Sequence, residues 1–173
     1  YMRRQSLGVR TDRILVVKFP GPTEGMKIKM EAMRKAIRKL PLVSKVTCSG
    51  SVPGEEVAMF LSNRRTHDAL KQNRLYEMLS CDPDYMDAYG LELVAGRGFS
   101  EDYGDDVNKL VINETAARTL GYTDYESVIG EEISVETIEE PMQVIGVVKD
   151  YHQQALNRNY TPIMPVSYTH LRA

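Results

Sequence analysis

Four short motifs in order decide how this chain reads: Gly96-Arg97-Gly98-Phe99-Ser100, Val111-Ile112-Asn113-Glu114-Thr115-Ala116-Ala117, Ile129-Gly130-Glu131-Glu132-Ile133, and Val144-Ile145-Gly146-Val147-Val148-Lys149-Asp150-Tyr151-His152. Their residue types are those of chain architecture. Glycines serve turns, Asn113 stands where a helix N-cap belongs, and the Val/Ile runs suit buried strands. Little in them could run a reaction, which points away from an enzyme.

Working outward, residues 109–112 read as a short strand and residues 114–120 as a helix ended by Gly121. Residues 133–136 and 143–148 read as a hairpin around Glu139-Glu140-Pro141. Upstream, residues 75–79 read as a strand, Asp82 as the cap of a short helix with Pro83 in its first turn, and Gly90 as its left-handed end. Residues 49–74 fit neither period well and read as loop with one or two short strands, turning at Val52-Pro53-Gly54. Farther out, Ile14-Leu15-Val16-Val17-Lys18-Phe19 is a β-rich run stopped by Pro20-Gly21-Pro22. Met26, Met30, Met33, Ile37 and Leu40 then recur at steps of three and four, with basic residues on the remaining faces until Pro41: an amphipathic helix. With residues 43–48 as a second strand, residues 14–48 make a βαβ-like unit whose helix turns its apolar stripe to the core. The basic outer face of that helix leaves a membrane-surface or partner-helix reading open beside the core one.

The chain has 173 residues, 42% hydrophobic and 27% charged, which excludes disorder and allows a core. A formal charge of −2, with 22 Lys+Arg against 24 Asp+Glu and no Trp, sets nucleic-acid binding aside. No apolar run approaches the ~20 residues that span a bilayer, and residues 1–8 lack a signal-peptide centre. Cys48 and Cys81 lack CxxC spacing; both end expected strands, so a disulfide and two buried thiols both stay open.

No glycine-rich phosphate cradle ends in Lys-Ser/Thr, and the lone Gly96-Arg97-Gly98 is a turn. Glu101, Asp102, Asp105 and Asp106 read as a solvated acidic loop rather than a cation site, since the spacing misses the EF-hand pattern. His67 and His152 lack metal-ligand spacing, neither cysteine has a nearby His, and no Ser sits in a nucleophile elbow. No catalytic residue, metal or cofactor is expected. Lys149-Asp150-Tyr151-His152 gathers titratable groups at a strand end, and the expected role is chain reversal, with Asp150 accepting hydrogen bonds from backbone or Arg97.

The order and spacing of the motifs resemble the extracytoplasmic core domain of MacB/FtsX-type ABC transporter permeases, especially the large permeases of Bacteroidetes-like bacteria, across residues 2–165. Asp84 and Tyr85 match a family "D-x-D-Y-F" helix, with Met86 in place of the aromatic, and residues 146–152 match "G-V-V-K-D-F-H". The resemblance gives structural roles to Asp84, Tyr85, Gly90, Gly96, Arg97, Phe99, Asn113, Ala116, Gly121, Gly130, Gly146 and Asp150.

It implies a two-lobed α+β fold, C-terminally incomplete. A βαβ-containing lobe with a mixed sheet spans about residues 14–90 and a second small α+β lobe about 91–150, both within a core domain of residues 14–165. Residues 1–13 would follow a missing transmembrane helix. Val166-Ser167-Tyr168-Thr169-His170-Leu171-Arg172-Ala173 resembles sequencing-adapter read-through, a non-native tail. The implied location is the periplasmic side of the bacterial inner membrane. The implied partners are a second permease copy or repeat, a cytoplasmic ABC ATPase reached through transmembrane helices, and a periplasmic adaptor or lipoprotein. The implied function is non-catalytic, passing motion from ATP hydrolysis to export or lipoprotein handling. Two rivals are a stand-alone periplasmic ligand- or protein-binding module, which needs a concave pocket, and a hydrolase, which needs a base–nucleophile pair.

Overall fold

The computed structural model describes residues 7–19, 26–57, 59–67, 72–100, 102, 106–154 and 159–167. Among them the elements run α1 (Met26–Arg38), β1 (Phe60–Arg65), β2 (Arg74–Cys81), α2 (Tyr85–Tyr89), β3 (Leu93–Gly96), β4 (Lys109–Asn113), α3 (Glu114–Thr119), β5 (Glu132–Val135), β6 (Met142–Val148) and β7 (Ile163–Ser167), with a 3₁₀ turn at Glu126–Val128. The class is α+β with one mixed sheet in the order β3-β6-β4-β7-β2-β1-β5.

Strand β6 shapes that sheet because it has partners on both edges. It runs parallel to β4 on one edge. On the other, its first residues pair with β5 (Ile133↔Met142) and its last with β3 (Gly96↔Gly146), both antiparallel. Since β5 also pairs with β1, the strands β6-β4-β7-β2-β1-β5 close into a six-membered ring. Closure removes free edges from these six strands.

The period-2 alternation of each strand sorts its side chains between the two faces of the ring. Tyr76, Met78, Leu110, Ile112, Ile133, Val135, Met142, Val144, Met164 and Val166 form one core cluster. Ala116 and Ala117 of α3, with Leu120 and Val128, belong to the same cluster, so the helix and the 3₁₀ turn cover one mouth of the ring. Leu79, Cys81, Val111, Ile145, Val148 and Ile163 point the other way, where Tyr85, Met86 and Tyr89 of α2 join Phe99 and Tyr151 in a second cluster.

The βαβ unit over residues 14–48 does not form. Residues 14–19 and 43–48 form no strand and the ring closes without them. The chain meets β2 only at the end of this segment, past the last β1–β2 pair (Phe60↔Glu77), where Ser49 bridges Cys81 and the Cys48 carbonyl accepts the Asp82 N–H at 3.0 Å. The stripe of α1 is accordingly not core: Met30, Met33 and Ile37 are only half-buried, and Leu40, just past the helix, is 53% exposed. An apolar run states that a segment favours burial, not which surface buries it.

Asp82 also departs from expectation. Its carboxylate accepts from the Cys48 backbone N–H at 2.9 Å and from the Thr47 hydroxyl, while α2 starts after Asp84 without a side-chain cap. Gly90 does end α2 in the left-handed region (φ 64°), which it adopts without Cβ strain. Val166 and Ser167, read as the start of a tail, complete β7 opposite Ser80 and Cys81. Residues 168–173, His170 among them, lie outside the described residues, as do Glu101 and Asp105.

Candidate functional site

The motif residues converge on two junctions, at the mouth covered by α3 and at the split of β6. At the first, Asn113 ends β4 in extended backbone and its Oδ1 accepts the Ala116 N–H at 2.9 Å, capping α3. The same oxygen accepts the Ile163 N–H at 3.0 Å, and Nδ2 donates to the Thr161 carbonyl at 2.8 Å. One fully buried side chain thus binds the start of α3 to the start of β7. Asp150, just past β6, takes the next orphan donor of the helix: Oδ1 accepts the Thr115 N–H at 2.8 Å and Oδ2 the Thr115 hydroxyl at 2.9 Å. Glu114 Oε2 in turn accepts the Asp150 N–H at 2.9 Å, and Arg118 pairs with the Asp150 carboxylate. A carboxylate is favoured there because free N–H groups and the helix dipole meet it.

The expected Arg97–Asp150 pair is therefore not formed. Arg97 donates to both oxygens of Asp106, at 2.8 and 3.1 Å, and to the Gly98 carbonyl at 2.9 Å. These bonds hold the Asp106 carboxyl below the usual carboxylate range, with the Ser100 N–H adding to the effect. The partner lies nine residues on, across a loop whose geometry one-dimensional spacing does not reveal.

At the second junction Gly96 and Gly146 face each other across β3 and β6. A Cβ on Gly146 would overlap the Arg97 carbonyl oxygen, and one on Gly96 would overlap the Ile145 carbonyl oxygen and sit 2.8 Å from Ile129 Cδ1. The close backbone approach here needs two glycines. Tyr85 and Ala116 are fully buried and Phe99 nearly so, each in a core cluster. Gly121 and Gly130 have positive φ in the turns after α3 and before β5.

Asp84 belongs to a third cluster that sequence reasoning missed. Its carboxylate pairs with Arg34 at 2.7 Å and with Arg38, one turn apart on α1, while Arg34 Nε lies 3.5 Å from Asp82. Arg34 and Asp82 side chains are only 11% and 7% exposed. Burial pushes the Asp82 carboxyl up, opposed by its bonds to Thr47 and Cys48 and by Arg34. The i,i+4 arginines and the Asp-Pro-Asp turn were the available signal, but pairing them required the fold. A cavity of about 590 Å³ lies beside this cluster, lined by Ile28, Met30, Ala32, Lys35 and Cys48 among others. Its two deepest charges, Arg34 and Asp82, already face each other.

No assembled chemistry appears among the described residues. Lys149 reaches Glu92 at 3.2 Å, Tyr151 is buried, and the His152 ring packs on Tyr160 at 4.4 Å between centroids. His67 lies 3.8 Å from Glu132, and no group of three His, Cys, Asp or Glu is placed to hold a metal among the described residues. Cys48 and Cys81 are free thiols. The Ser49↔Cys81 bridge puts Cys48 opposite Asp82, so the two thiols lie on opposite faces of the pairing: Cys81 in the second core cluster, Cys48 beside Arg34.

Comparison with known proteins turns this scaffold into a family assignment. The sequence matches the MacB-like periplasmic core domain family over residues 2–173. The chain belongs to that family. The MacB-like core is the extracytoplasmic domain of bacterial inner-membrane ABC transporter permeases, and the chain shares that location.

Solved structures share its fold. The extracellular domain of the noncanonic ABC-type transporter YknZ from Gram-positive bacteria aligns with a TM-score of 0.57 at 19% identity, covering 82% of this chain and 64% of that one. A permease-protein domain from Porphyromonas gingivalis gives 0.54 at 19%, covering 80% and 57%. The periplasmic region of MacB from Actinobacillus actinomycetemcomitans gives 0.54 at 20%, covering 82% and 56%. At these identities the likeness shows the fold alone, and the MacB-like chain spans less than two thirds of each. No curated protein matches the sequence significantly.

Proposed function

We propose that this MacB-like domain is a non-catalytic transmitter in an ABC transporter permease. It passes motion, driven by a cytoplasmic ATPase, to an export or lipoprotein-handling step outside the membrane. The family match over residues 2–173 carries the reading. The scaffold supports it: a closed ring whose mouth, split strand and last strand are joined by the Asn113, Asp150 and Gly96–Gly146 contacts is suited to moving as one body. In this reading residues 1–13 lead in from a transmembrane helix. The partners are a second permease copy, the ATPase, and a periplasmic adaptor or lipoprotein.

The test uses the complete permease with its ATPase in nanodiscs. A disulfide staple engineered between this domain and its counterpart in the second copy should abolish ATP-driven transport while ATP hydrolysis persists. Reduction should restore transport. Unchanged transport with the staple closed, or after removal of residues 7–167, would sink the proposal.

A further inference from the structure

On α1 and in the turn that follows it, three large apolar side chains face solvent. Ile28 is 77% exposed, Leu40 53% and Leu42 98%, and the last two flank Pro41 at the tip of the turn that follows the helix. Around them the chain is strongly basic: Lys29, Arg34, Lys35, Arg38, Lys39 and Lys45 stand against Glu31 alone between residues 28 and 45. Arg34, Arg38 and Lys45 turn inward to Asp84 and Asp87, whereas Lys29, Lys35 and Lys39 are exposed, Lys35 lying 3.8 Å from Glu31 and, with Ile28, at the rim of the cavity beside Arg34. A face covered by protein is depleted in lysine. Apolar tips ringed by lysines whose stems can lie along them suit the boundary between headgroups and acyl chains.

We infer that the Leu40–Leu42 turn and the lysine-bearing face of α1 dock on an anionic phospholipid surface. Position supports it. Lys45 pairs with Asp87 of α2 and Arg38 with Asp84 just before it, and at the end of the same five-residue helix the Arg10 N–H bonds the Tyr89 carbonyl at 2.7 Å. The exposed leucines are thus anchored beside the segment through which, in the permease reading on which this rests, the chain arrives from the membrane.

The test is co-sedimentation of the 173-residue chain with vesicles. Phosphatidylglycerol-containing vesicles should bind it, pure phosphatidylcholine vesicles should not, and raised salt should release it. Each lysine near an anionic surface contributes about fivefold in affinity, so Lys35→Gln with Lys39→Gln should weaken binding by about 30-fold. Leu40→Ser with Leu42→Ser should weaken it by at least about tenfold. All four positions are exposed, and circular dichroism reports whether each variant folds. Failure to bind anionic vesicles, equal binding to neutral ones, or indifference to these substitutions overturns the inference. So does a concentration-dependent dimer that the leucine variant abolishes, since the face would then meet a second copy. Vesicle binding needs neither ATPase nor cargo. Its failure leaves the transport proposal standing, and loss of coupling with binding intact strikes only the latter.

Discussion

Asn113 Oδ1 lies 3.0 Å from the backbone nitrogen of Ile163, fifty residues away, while capping α3 one turn from its own Cα. A residue that looks like a local helix signal therefore also holds β7, the strand that bridges β2 and β4. Asn is suited to both tasks because its amide accepts and donates at once.

Replacing Asn113 by Ala should cost about 3 kcal/mol, combining a lost cap with buried groups on Ile163 and Thr161 left unpaired. Asn113→Asp, which keeps the acceptor, should cost less. Urea unfolding measures both, and a loss under about 0.5 kcal/mol for Ala would mean that β7 is held by other contacts.

Gly146 and Gly121 are needed for different reasons, and alanine separates them. A Cβ on Gly146 meets the Arg97 carbonyl, which cannot yield without breaking the β3–β6 ladder. Gly121 has open space but a φ of 96°. Gly121→Ala should cost about 1 kcal/mol and Gly146→Ala about 3 kcal/mol or more. Equal melting-temperature losses would refute the steric account.

Asn63 is buried among apolar residues, its Nδ2 facing the Met164 and Met78 sulfurs at 3.4 and 3.7 Å and its Oδ1 without a hydrogen-bond partner. Sulfur is a weak acceptor. Asn63→Leu should stabilise the domain by about 1 kcal/mol, since a similar volume replaces an unsatisfied amide. A lower melting temperature would show that the amide has a partner in solution.

The Arg97–Asp106 pair predicts an acid limb. The folded state holds the Asp106 proton less tightly than the unfolded state, so its stabilisation is full above about pH 4 and is lost as pH falls through the lower folded value. Asp82, pushed up by burial, acts with the opposite sign: stability falls as pH rises between its unfolded and folded values. The contribution of Asp106 is therefore read as wild type minus Asp106→Asn, a difference that should shrink as pH falls below about 4. A pH-independent difference would remove the ion pair from the account.

The Asp84 carboxylate joins Arg34 and Arg38 to the α2 turn, and α1 has no buried side chain among those described. Asp84→Ala should raise amide hydrogen exchange across residues 28–38 by about tenfold while leaving β4 and β6 protected. Unaltered exchange in α1 would show that apolar contacts with Met30, Met33 and Ile37 suffice.

Several elements were legible in one dimension because their causes are local. The β5–β6 hairpin, the Asn113 cap and the Gly90 helix end each depend on a few adjacent residues, as does the strand over residues 74–81. The junctions were legible only in part. Gly96, Gly146 and Asp150 stand out in the sequence, but their partners are Arg97 and Ile145 backbone, Thr115 and Arg118, none readable from spacing. The segment over residues 14–48 has strand-like composition at both ends without a place in the sheet, because composition favours burial and does not choose the partner edge.

What this sequence by itself determined is its family, its α+β class and the absence of a familiar catalytic motif, since periodicity, caps and turn glycines act over a few residues. Only the tertiary structure decided that six strands close into a ring, that Asp106 rather than Asp150 receives Arg97, that the two cysteines face apart, and that α1 keeps Ile28 and Leu40 in solvent. The physical reason is that pairing between distant segments depends on which edges and carboxylates are still vacant once the rest of the chain has packed, a competition that no local pattern records.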